Sequence, residues 1–447
     1  MGLFPLPLWG VGQGGGVFIE LFFYFCMRNY FPFMRMIFCR LLLILLFLFF
    51  CLPSRSQEHT LSYFIREGIK NSPLLRDING QIKENQIDSL VIKAMNKPRV
   101  EFKGYAYYAP VINDFGYSTV LTNLANLTSV MSVSQPFLNK KTIEANLSKN
   151  EIKKQALTNT VLLTENSLKK AITAAYLDAY STWSEISVNL ELLSFAKEQE
   201  KILRSLTENG IYKQTDYLAF TIDQQEQELQ VGELKVLFQK QISDLYILCG
   251  IRDTAVFLPV KPDLENQSVQ VKASSPMFMR FLIDSLRINN ENLLIDRNYK
   301  PVLNWFSDAG LINNDPSVIY QNFGVSLGLS LTLPVYDGNQ RKLNRQKLRS
   351  EEDIRSGYAR AFKREYDQQL QQLMDELEQT RALLPSVRSQ VHNTELLMSQ
   401  VKELVSRGSG SITDYLIAIR NYISARKNLN QNEVRILQIQ NEINYWK

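Results

Sequence analysis

Gly210-Ile211-Tyr212-Lys213-Gln214-Thr215-Asp216-Tyr217-Leu218 returns 198 positions later as Gly408-Ser409-Gly410-Ser411-Ile412-Thr413-Asp414-Tyr415-Leu416. A glycine followed at one fixed distance by Thr-Asp-Tyr-Leu, twice in a chain, marks an internal repeat. Upstream the echo continues at an offset of 203, where Asn71-Ser72-Pro73-Leu74 answers Ser274-Ser275-Pro276-Met277 and Lys97-Pro98-Arg99-Val100 answers Lys300-Pro301-Val302-Leu303. Pro136 and Pro334 again stand 198 apart, so the second half carries a hairpin five residues shorter. The chain reads as a tandem duplication, with repeats at 57–263 and 264–447 behind an N-terminal segment, 1–56.

Each repeat reads as a helix, two strands and two long helices. Phe323, Val325, Leu327, Leu329, Leu331 and Leu333 alternate with Gly324, Ser326, Gly328, Ser330 and Thr332, which predicts one apolar and one small or polar face. A membrane barrel needs that alternation, with lipid on one side and a wet lumen on the other. Soluble sheets buried on one face alternate in the same way, so the strands alone leave both open. The strands near 99–136 and 301–334 include Tyr105, Tyr107 and Tyr108, which suit an interfacial aromatic girdle, and Val100, Phe102, Ala106 and Tyr108 opposite Glu101 and Lys103. In the second strand Leu127, Met131 and Val133 oppose Thr128, Val130, Ser132 and Ser134.

The helices decide between these readings. From Asn139 to Asn209 there is neither proline nor glycine, and Leu168, Ile172, Ala175, Ala179, Ile186, Leu190 and Leu193 keep the mixed three-and-four spacing of a coiled-coil seam. About 70 residues at 1.5 Å each make a rod of about 100 Å. Arg341 to Arg407 forms a comparable segment, interrupted by Gly357 and Pro385, and shorter return helices are expected at Asp216–Leu248 and Thr413–Tyr445. In the last of these Ile412, Leu416, Ile419, Ile423, Val434 and Leu437 follow the seam.

Composition removes several classes of function. Of the four cysteines only Cys249 lies beyond residue 51, and the only histidines are His59 and His392, so the ligand sets of zinc sites and the pairs of thiol catalysis are missing. The formal charge of +5 shrinks beyond the N-terminal segment, which holds Arg28, Arg35, Arg40, Arg55 and Glu20; the remaining 46 basic and 44 acidic residues give no nucleic-acid signature. Arg35 and Arg40, an apolar run from Leu41 to Leu52, and Ser54 and Ser56 describe an export signal cut before Gln57. The alternative is an N-terminal anchor helix. Leu48, Phe49 and Phe50 are poor lipidation context for Cys51, and Met34 or Met36 could be the start.

With these motifs in order, the chain from about 60 to 446 resembles the TolC-like outer membrane efflux protein family. The resemblance rests on the Asn-Ser-Pro-Leu helix start, the strand exits Pro136-Phe137 and Pro334-Val335-Tyr336-Asp337-Gly338, the helix end Leu245-Tyr246-Ile247-Leu248-Cys249-Gly250, and the two Gly-x4-Thr-Asp-Tyr-Leu turns. It implies a mixed α and β fold in which three chains each give four strands to one twelve-stranded outer-membrane barrel. Their coiled-coil-like helical hairpins would form a tunnel across the periplasm. It implies a homotrimer in outer-membrane lipid that works with a periplasmic adaptor and an inner-membrane transporter, without cofactor, metal or nucleic acid.

The same resemblance places Gly210, Thr215, Asp216, Gly408, Thr413 and Asp414 at helix tips that meet the adaptor, with Asp414 in an acidic ring at the aperture. A plainer reading has Thr215, Asp216, Thr413 and Asp414 capping the return helices while Gly210 and Gly408 end the incoming ones. Gly410 stands where many relatives carry a larger or basic residue, which implies a looser tip. No nucleophile elbow, phosphate loop or HExxH motif occurs, so the chain is not expected to be an enzyme. A periplasmic coiled-coil scaffold or adaptor that forms no pore is the other functional reading.

Overall fold

The computed structural model describes residues 59–118, 125–138, 140–252, 255–264 and 275–446. The expected export signal lies outside them. Along the chain run α1 (Leu61–Asn71), α2 (Pro73–Ala94), β1 (Arg99–Tyr108), β2 (Ala125–Phe137), α3 (Lys140–Glu208) and α4 (Gln214–Leu248). Then follow α5 (Pro276–Asn298), β3 (Val302–Asn313), a 3-10 turn (Pro316–Gln321), β4 (Phe323–Thr332), α6 (Gln340–Ser406) and α7 (Ile412–Trp446).

The repeated Ser-Pro pairs are helix starts. Ser72 accepts a hydrogen bond from the Leu75 amide at 3.3 Å, and Pro73 occupies the first helical position, where a missing N–H costs nothing. Pro276 likewise takes the first helical position of α5, although the Ser275 side chain makes no capping bond there.

Four antiparallel strands form one sheet in the order β1-β2-β3-β4. Its middle pairing joins the two halves of the chain, with Ser132 opposite Asp308 and Val130 opposite Gly310. At that crossing the backbones come so close that a Cβ on Gly310 would lie 2.2 Å from the Ser129 carbonyl oxygen.

The helices α3 and α6 are 69 and 67 residues long, so each is a rod of about 100 Å at 1.5 Å per residue. Contrary to the expected interruption, α6 runs unbroken through Gly357 and Pro385. Pro385 is exposed, so the carbonyl it leaves without an intrahelical partner can be hydrated, and the long flanking helix carries the one lost bond.

On α3 the buried line is Ile172, Tyr176, Ala179, Thr182, Ile186, Asn189, Leu193, Ala196 and Leu203. This corrects the seam at one point: Asn189 takes the inner position and Leu190 faces out. The Asn189 amide donates to the Glu185 carbonyl one turn back, while its own Oδ1 is buried without a partner among the described residues.

The main core lies where α1 packs across α3 and α4, around Phe64, Ile172, Tyr176, Ile242, Leu245 and Phe257. Each such buried side chain contributes about 1.5–3 kcal/mol. The Tyr176 hydroxyl also donates to the Val260 carbonyl at 2.9 Å and accepts from the Val260 amide at 3.0 Å, which fixes the extended segment 255–264 against the bundle.

Candidate functional site

On the edge strand β4 nearly all of both faces is open, so the rest of the chain does not cover its apolar side. Phe323, Val325, Leu327, Leu329 and Leu331 on β4 are 68–79% exposed, whereas Ser132 and Thr128 on β2 are 2% and 6% exposed. Register carries the division across all strands. Val100, Phe102, Met131, Val133, Leu303, Trp305 and Ala309 share the face of Leu329, and Glu101, Ser132, Asp308 and Ser326 share the other. Trp305 and Phe137 stand at one end of the apolar band, and Tyr108 and Phe323 at the other, as interfacial aromatics do.

One expectation is corrected here. Tyr105 and Tyr107 have the parity of Glu101 and Lys103, so they lie on the polar face, their rings stacked 6.5 Å apart, and only Tyr108 belongs to the outer girdle. On the polar face the ring of Phe306 lies against Gly328, where a Cβ would come within 2.3 Å of it. The glycine lets the aromatic ring lie flat along the wall.

At the far end of the helices the two repeated turns touch. Gly210 (φ 74°) and Gly408 (φ 75°) end α3 and α6 in the left-handed conformation. In the first turn the Gly210 and Ile211 amides donate to Thr207 and Leu206; in the second, Gly408 and Ser409 donate to Val405 and Leu404. The caps of the return helices are not the predicted residues. Lys213 precedes α4 without a side-chain bond, and at α7 the Ser411 hydroxyl accepts from the Asp414 amide at 3.3 Å. Thr215, Asp216, Thr413 and Asp414 instead occupy first turns, where Asp216 and Asp414 complement the helix dipole. Asp414 and Thr413 are exposed, and no ion pair to Asp414 forms within the described residues.

Tyr212, which sequence reasoning passed over, joins the tips: its hydroxyl lies 2.7 Å from the Gly410 carbonyl oxygen and 3.2 Å from that of Val405, donating to them. Burial, reinforced by the nearby Asp216 carboxylate, raises this phenol above its usual range and keeps it a donor. Gly410 is correspondingly tight rather than loose. Its amide donates to Leu404 at 3.1 Å, and a Cβ there would meet the Val405 nitrogen at 2.7 Å.

Behind the turns Ala196, Leu203, Phe220, Val405, Ile412, Tyr415 and Ile419 form a closed cluster. Its burial pushes the Tyr415 phenol up to about 12. Asp223, 6% exposed, accepts from Arg420 Nε at 2.9 Å and from Gln227 at 3.0 Å, tying α4 to α7. Elsewhere apolar side chains stand open at seven-residue intervals: Ile222, Leu229 and Val236 on α4, and Leu397 and Leu404 on α6. Among the described residues no helix is long and apolar enough to cross a membrane, and no group of His, Cys, Asp and Glu could hold a metal ion.

No protein-family model and no curated protein matches the sequence. Solved structures do match. The outer membrane protein VceC of the bacterial pathogen Vibrio cholerae has a TM-score of 0.69 and 12% identity over 86% of this chain and 94% of that one. The Campylobacter jejuni CmeC outer membrane channel gives 0.69 and 13%, over 87% of this chain and 85% of that one. The open state of the Neisseria gonorrhoeae MtrE outer membrane channel gives 0.66 and 12%, over 86% and 88%. At such identities the likeness is one of architecture. Long helical hairpins joined to a four-stranded antiparallel sheet, shared over most of each chain, give this protein the fold of the TolC-like outer-membrane channels.

Proposed function

We propose that the chain is one subunit of a homotrimeric outer-membrane channel that passively passes substrates from an inner-membrane transporter to the exterior, in a tripartite efflux or type I secretion system. The observation that carries this reading is the exposed apolar face of β4, continued across the sheet to Phe102 and Met131. An open patch of that kind suits lipid and is a hazard in water. Four strands leave one edge of β1 and one of β4 unpaired, and lipid tolerates no free edge, so three copies close the sheet into twelve strands. The open stripes on α4 and α6 are then covered by neighbouring copies, and the rods enclose a periplasmic tunnel.

The tip residues Gly210, Thr215, Asp216, Gly408, Thr413 and Asp414 form the surface for a periplasmic adaptor. Asp414 is the aperture residue: exposed in the first turn of α7, it places three carboxylates round a narrow opening, where they attract cations and repel one another. The transporter supplies the energy, and no cofactor enters.

Purified protein reconstituted in planar bilayers tests this reading. Discrete conductance steps are expected, and Asp414→Lys should change cation conductance. A protein that never conducts contradicts the channel, and unchanged conductance and selectivity in the variant removes Asp414 from the aperture.

A further inference from the structure

Four charged side chains stand on the strands, all on the polar face: Arg99, Glu101 and Lys103 on β1, and Asp308 on β3. Arg99 and Glu101 lie 3.5 Å apart and compensate each other. Lys103 and Asp308 behave differently. Lys103 Nζ donates to the Ser132 hydroxyl at 3.1 Å, and Asp308 Oδ2 accepts from the Ser326 hydroxyl at 3.4 Å. Ser132 is the direct cross-strand neighbour of Asp308, so the two charges flank one serine without meeting; neither has an ion pair within the described residues. A hydroxyl fixes the position of a charge without neutralising it. Asp308 Oδ1 is buried and has no hydrogen-bond partner among the described residues, and the neighbouring wall of Gly310, Gly324 and Gly328 adds no charge of its own.

We infer that Lys103 and Asp308 set the ion selectivity of the barrel segment, as a balanced collar of three fixed cations and three fixed anions in the closed ring. This rests on the channel reading above. Charges on a low-dielectric wall focus their field into the lumen, and at physiological salt each acts over about 8 Å, so the pair biases ions close to the wall. The balance leaves the intact collar weakly selective. Removing one member leaves three like charges per trimer unopposed.

The test is the reversal potential of reconstituted protein in a potassium chloride gradient. Asp308→Asn, which keeps the shape and the acceptor, should move selectivity toward anions. Lys103→Gln should move it toward cations, and the double variant should return near the starting value. Should Asp308→Asn fail to assemble, Lys103→Cys treated with a cationic thiol reagent serves alone, since the reagent should restore the original selectivity; Cys249 is buried and does not compete. A conducting protein whose variants keep its reversal potential overturns the collar and leaves the channel standing. A wild-type protein that never conducts overturns the channel reading instead.

Discussion

In the sheet Leu327 and its apolar neighbours stand open while Ser132 and Thr128 are covered; at the helix tips Phe220, Tyr415 and Ile419 are covered while Thr413 and Asp414 stand open. At the tips the apolar side chains are covered and the polar ones open, whereas on β4 the apolar face stands as open as Ser326 and Ser330 opposite it. The hydrophobic effect rewards removal of apolar surface from water, so the tips are arranged for water. The open apolar face of β4 is what the proposed lipid surround would cover. Exposure must be judged against a solvent, and the tips supply the internal control, since apolar side chains there are buried in the ordinary way.

Substitutions should therefore have opposite signatures at the two ends. The largest effect is expected from Leu327→Lys, because in the proposed trimeric barrel a lysine facing the middle of the bilayer would cost about 2–4 kcal/mol in each copy. Membrane-extracted oligomer should vanish, whereas Ser330→Lys, on the other face, should assemble; equal loss from both would contradict the assignment of faces. Next comes Tyr415→Ala. Emptying a buried aromatic site costs about 3–5 kcal/mol, but only the tip should loosen, seen as faster hydrogen exchange over 405–423 in an oligomer of unchanged mass.

Arg420→Ala should be weaker. It leaves the buried Asp223 carboxylate with Gln227 as its remaining side-chain partner, a penalty of about 1–3 kcal/mol, and should quicken trypsin cleavage at the tip. Ser411→Ala, which removes the α7 cap, should cost about 1 kcal/mol and show in the same assay. Cys249 should give the smallest response. Burial, with help from Glu67, raises its thiol to about 12, so at pH 8 it remains protonated and iodoacetamide should modify it only after unfolding, as mapped by mass spectrometry.

The two ends were also unequally legible in sequence. Alternation from Phe323 to Thr332 discloses both faces of β4, because a side-chain period of two needs no knowledge of partners. The same parity rule already separates Tyr105 and Tyr107 from Tyr108, and grouping the three by chemistry rather than position produced the misplaced girdle. Rod lengths were legible from unbroken spacing. The Asn189 and Leu190 exchange was not, since hydrophobicity alone favours the leucine and the bond from Asn189 to the Glu185 carbonyl is visible only in the folded helix. At the tips, Gly210 and Gly408 carry a local signal for helix ends. Tyr212 carries none, because its partner Gly410 is 198 residues away, and neither does the Asp223–Arg420 pair, separated by 197. Contacts between repeats are tertiary facts that no local pattern encodes.

Whether the sheet is one third of a closed barrel is best decided by the native mass of the protein extracted in detergent from isolated outer membranes. A species of three chains, found in that fraction and absent from the soluble periplasm, is the expected result. A monomer or dimer released with the soluble periplasmic proteins would contradict the barrel, and the apolar face of β4 would then have to be covered by another protein.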